Sequence, residues 1–68
     1  MWSVQITRLA DQAVGDQLAE MRRWLAREGI QPFELRAVRI QSTRFTYSAT
    51  FADAAAAHRF FRRFSDLD

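Results

Sequence analysis

The stretch Thr43-Arg44-Phe45-Thr46-Tyr47-Ser48-Ala49-Thr50-Phe51 sets how the rest of the chain can fold. Phe45, Tyr47, Ala49 and Phe51 are apolar and alternate with polar Arg44, Thr46, Ser48 and Thr50. A two-residue period of this kind marks a strand that buries one face and wets the other. The segment is rich in β-branched and aromatic side chains, which suit a pleated, half-buried surface. Its neighbours must therefore cover the apolar face, extend the sheet, or leave the polar face open.

Just upstream, Phe33 and Leu35 share one parity while Val38 and Ile40 share the other. Either a bulge near Arg36 and Ala37 resets the register, or both faces of this strand meet apolar surface. With Gln41 to Arg44 as the turn, Ile40 falls opposite Phe45 and Val38 opposite Tyr47. Phe33 and Leu35 then point to the open face unless the bulge rescues them. Gln41-Ser42-Thr43 lacks the Asn-Gly signature of a tight turn, so the loop length stays open.

Downstream, Asp53 is placed to cap a helix over Ala54 to Phe64, with Ala57, Phe60, Phe61 and Phe64 on one face and His58, Arg59, Arg62 and Arg63 on the other. The tail from Ser65 to Asp68 is expected to fray. At the other end of the chain, Trp2, Val4 and Ile6 alternate with Ser3, Gln5 and Thr7, which predicts a further half-buried strand. From Asp11, a suitable N-cap, the period changes to helical: Val14, Leu18, Met21 and Leu25 line one face, with Trp24 at its margin. The order of charges suits the helix dipole and allows an ion pair between Glu20 and Arg23. Gly29 can take the left-handed conformation that ends the helix, Ile30 can fold back on the last turn, and Pro32 prevents continuation. Gly15 weakens the helix unless it serves a close approach.

The order is thus β-α-β-β-α, an α+β fold. A right-handed first crossover puts the Thr43 to Phe51 strand between the other two and antiparallel to both, with two helices on one face of a three-stranded sheet. This is a truncated ferredoxin-like arrangement, the split βαβ unit without its final strand. Its first strand then has an uncovered edge, which invites pairing with another copy.

Sixty-eight residues predict one domain over 1–68, and a chain of this size buries too little surface for more than modest stability on its own. Cysteine is absent, which excludes disulfides, thiolate metal sites and thiol nucleophiles. Oligomerisation is the remaining reinforcement, and a homodimer is expected. No secretory signal or membrane-length apolar run is visible, so a cytoplasmic protein without a membrane partner is expected. The ten basic residues are all arginine, yet net charge is only +2, a weak argument for nucleic acid.

Catalysis is poorly supplied. His58 is the only histidine and falls on the solvent side of its helix; the carboxylates are dispersed, no zinc-type ligand set exists, and two glycines do not make a phosphate loop. No enzyme activity and no cofactor are expected. The expected function is a binding or regulatory module acting as a small homodimer. Candidate interface residues are Ser3, Gln5, Thr7, Leu35, Thr46 and Ser48, drawn from the first strand's edge and the open sheet face. The alternative is an arginine-mediated nucleic-acid binder in which Arg39 and Arg44 contact phosphate.

Met21-Arg22-Arg23-Trp24-Leu25, then Ile30-Gln31-Pro32, then Phe51-Ala52-Asp53 with Ala57 and Phe60-Phe61, together resemble the pattern of small uncharacterised alphaproteobacterial proteins of about this length. The resemblance spans most of the chain and implies a bacterial protein, but no activity, since that group has none assigned. The group's glycines near the hairpin turn are replaced here by Gln41-Ser42-Thr43.

Overall fold

A computed structural model of the chain describes residues 1–65 and shows the β-α-β-β-α order: β1 (Trp2–Leu9), α1 (Val14–Glu28), β2 (Glu34–Ile40), β3 (Arg44–Phe51) and α2 (Ala54–Phe64). Of the tail expected to fray from Ser65 to Asp68, Ser65 is described and its amide donates to the Phe61 carbonyl at 2.9 Å, while 66–68 lie outside the described residues. The sheet order is β1-β3-β2, with β3 antiparallel to both neighbours. Both helices pack on one face, as in a ferredoxin-like fold up to its second helix, and the β1–α1–β2 connection passes over β3.

The apolar positions of β3 make the core. Tyr47, Ala49 and Phe51 are fully buried beside Ile6 of β1, Leu35 of β2, Met21 and Leu25 of α1, and Phe60 and Phe64 of α2. The rings of Phe51, Phe60, Phe64 and Trp24 form a chain of tilted and edge-on contacts 5.1–6.4 Å apart, geometries in which ring edges meet ring faces. Phe61 is only half-buried, at the margin of this layer.

Local chemistry sets the helix ends. Asp53 accepts a hydrogen bond from the Ala56 amide at 2.7 Å and starts α2 as expected. α1 stops in a Schellman turn: Gly29 sits at φ 69°, its amide donates to the Ala26 carbonyl, and the Ile30 amide reaches back to Leu25 at 2.9 Å. The start of α1 differs from expectation. Its cap is Ala13, not Asp11, and no side chain completes it, because the Asp11 carboxylate accepts from Gln17 instead. Gly15 lies in the first turn with open space around it, so no close approach explains it. Glu20 faces Arg8 of β1 at 3.7 Å, so the pair expected with Arg23 is replaced by one that ties helix to sheet.

The bulge lies further along β2 than the sequence placed it. Register runs regularly from Glu34 opposite Thr50 to Ala37 opposite Tyr47, then shifts, with Val38 as the extra residue before Arg39 opposite Thr46 and Ile40 opposite Phe45. Tyr47 therefore faces Ala37, not Val38. Leu35, expected on the open face, is 7% exposed and packs opposite Ala49 on the helix side. The late bulge keeps its parity with the core, which corrects its assignment to the interface. Phe33, just before the strand, is 66% exposed.

Candidate functional site

The face of the sheet away from the helices is built in rows, because antiparallel pairing sets opposed side chains side by side. Ser3, Thr50 and Glu34 form one row, Gln5, Ser48 and Arg36 the next, and Thr7, Thr46 and Arg39 the third. Each row reads hydroxyl or amide, hydroxyl, charge. Leu9 and Arg44 close the series at the hairpin end. Ser3 and Thr50 share a hydroxyl hydrogen bond at 2.9 Å, and Glu34 pairs with Arg36 at 3.2 Å.

Of the candidate residues, Ser3, Gln5, Thr7, Thr46 and Ser48 thus share one face, together with Arg39 and Arg44, while Leu35 stands on the other. Arg39 and Arg44 occupy neighbouring rows, and neither side chain makes an ion pair or hydrogen bond among the described residues. An open depression of about 410 Å³ crosses all three strands here, lined by Gln5, Thr7, Val38, Arg39 and Thr46. Val38 and Arg36 were not among the candidate site residues read from the sequence. Both had a usable signal, since Arg36 and Val38 follow Glu34 at two-residue spacings; Arg39 is the residue that the bulge brings to this face.

The buried side carries a polar cluster of a different kind. Gln17, fully buried in α1, accepts from the Tyr47 hydroxyl at 2.7 Å and donates to the Leu9 carbonyl at 2.9 Å and to Asp11 at 3.2 Å. Both of its amide hydrogens and its oxygen are used, which is what a buried amide requires. Burial pushes the Tyr47 phenol above its usual value, opposed by the nearby Arg8 charge. Arg8 itself lies over the Phe64 ring, 5.6 Å from its centre, and faces Glu20. These groups join β1, α1 and β3. His58 is exposed, on the solvent side of α2.

A surface groove at the end of α1, lined by Leu25, Ala26, Gly29, Ile30 and Gln31, carries no charged side chain. Among the described residues no group of three or more potential metal-ligating side chains clusters, and no helix is long and apolar enough to cross a membrane. No protein-family model, curated protein or solved structure matches the chain. Roles for its residues rest on the geometry alone.

Proposed function

We propose that the protein is a non-enzymatic binding or regulatory module that works as a homodimer, joined along β1, with the open sheet face as its binding surface. The observation that supports this reading is the state of the β1 edge. Its register to β3 is regular over eight consecutive pairs, and it contains no proline, bulge or outward charge, the devices by which edge strands avoid pairing. Its one charged residue, Arg8, turns toward Glu20 in the helix layer.

Antiparallel pairing of β1 with a second copy places opposed residues on the same face, so the twofold axis must pass through a residue. Centring it on Gln5 matches the chemistry of the strand. Ser3 meets Thr7 of the second copy, Val4 meets Ile6, and Trp2 meets Arg8. Trp2 is 53% exposed in the single chain, and this alignment sets it beside the second copy's strand, which covers part of its ring. The three-stranded sheets join into one of six strands.

Sedimentation equilibrium at micromolar concentrations is expected to show a dimer, and Gln5→Lys, which sets two like charges at the axis, is expected to give a monomer with unchanged circular dichroism. A wild-type monomer overturns the reading. The nucleic-acid alternative keeps Arg39 and Arg44 but has no ring on the open face to stack bases: Tyr47 and Phe51 are buried on the helix side, with Phe45 on the same parity.

A further inference from the structure

We infer that the depression formed by Gln5, Thr7, Val38, Arg39 and Thr46 is an oxyanion site for a small ligand that carries a phosphate or carboxylate group. It lies within one protomer and holds whether or not the dimer does.

The bulge creates the site. Arg39 is an even number of residues from Leu35 and Ala37, which face the helices, so a continuous ladder would send its guanidinium into the core layer beside Phe45. The extra residue at Val38 shifts the register by one, and Arg39 comes to stand opposite Thr46 on the open face. Bulges re-aim side chains in this manner and recur beside binding sites. Val38 stays on the same face, so the shift sets an aliphatic wall next to the cation.

The lining is complementary to an oxyanion. Arg39 offers a planar fork of donors suited to carboxylate or phosphate. The hydroxyls of Thr7 and Thr46, opposed across β1 and β3, and the Gln5 amide supply neutral donors. Val38 gives the carbon skeleton of a ligand a surface to pack on. Among the described residues no carboxylate lines the depression; Glu34 lies two rows away and is engaged by Arg36. Three arginines against one glutamate leave the face with a charge of +2. The volume of about 410 Å³ falls within the range of small-ligand sites.

The test is a titration of isotope-labelled protein followed by amide chemical shifts, with inorganic phosphate and acetate in separate arms and sodium chloride at matched ionic strength as reference. Saturable shifts are expected at Gln5, Thr7, Val38, Arg39 and Thr46 in at least one arm, and the tighter arm names the ligand's anionic group. Arg39→Gln is expected to weaken binding about tenfold, the scale of one charge-assisted interaction. Thr46→Val should weaken it less, and Arg27→Gln on the exposed side of α1 should not change it. The Arg39 side chain has no ion-pair or hydrogen-bond partner among the described residues, so its replacement is expected to leave the fold intact, which the same spectra check. Shifts equal to those in chloride, or binding that survives Arg39→Gln, overturn the inference. So does a single-stranded oligonucleotide that binds across the whole face with an affinity rising with its length and falling steeply with salt.

Discussion

The two edges of this small sheet are built in opposite ways. β2 is short and bulged at Val38, begins two residues after Pro32, and bears Glu34, Arg36 and Arg39. Arg22 of α1 also reaches over to the Leu35 carbonyl, at 3.5 Å, the outer limit of a hydrogen bond. β1 has eight regularly paired residues and none of these features. Pairing between chains needs a row of free backbone groups in register, so the contrast teaches which side can accept another strand. It also separates two tasks: β1 is the edge that the proposed dimer would use, while the irregularity of β2 shapes the depression.

Deleting Val38 breaks the contrast most severely. The shortened β2 would run as an unbroken ladder with Arg39 still opposite Thr46 and Ile40 still opposite Phe45, so the core pairing survives while the edge loses its bulge. With two regular edges the protein is expected to grow beyond the dimer, as concentration-dependent sedimentation would show. A variant that keeps the wild-type size distribution would mean that the charges, not the bulge, protect β2.

Tyr47→Phe sharpens the contrast from inside. Removing the hydroxyl leaves the buried Gln17 oxygen without its donor, a loss of about 1–3 kcal/mol, large for a domain of this size. Urea unfolding measures the total. Hydrogen exchange locates it: Gln17 holds the Leu9 carbonyl, so β1 amides should lose protection before those of β2. Equal loss in both strands would mean that the phenol supports the core as a whole.

The smallest effect is a pH dependence. Burial raises the Tyr47 pKa in the folded protein, so the folded state keeps its proton while unfolded chains release theirs. Stability from this group is complete below the unfolded value of about 10 and falls as pH rises from there through the folded value. The chain has one tyrosine and none of the cysteine or lysine whose ordinary values also fall near that interval. Thermal melts across that interval should decline for wild type and stay flat for Tyr47→Phe; parallel curves would assign the decline elsewhere.

Much of the fold was legible because alternation and helical spacing are direct records of burial. The β3 pattern fixed its core face, Gly29 its helix end and Asp53 its cap. The bulge was legible as a parity conflict between Leu35 and Val38 but not as a position, since either residue is apolar enough to be buried. Only the helices packed on the sheet make Leu35 the inward one. Asp11 misled because a capping residue type stood near the helix start, whereas its carboxylate serves Gln17. Gln17 itself lies three residues after Val14 and four before Met21, so spacing placed it inward while its polarity suggested surface. Of the candidate site, the hydroxyl rows followed from alternation. Their union with Arg39 did not, because it depends on where one extra residue falls.

Gln17 has a further consequence for folding fidelity. The apolar alternation of β1 would tolerate a slip of two residues along β3, which keeps every side chain on its face. Such a slip moves the Leu9 carbonyl by about 6.6 Å, far outside the reach of a helix-anchored amide. Misaligned chains would thus carry an unpaired amide hydrogen and an unpaired carbonyl in the interior, and a single buried glutamine discriminates against errors that hydrophobicity alone would pass.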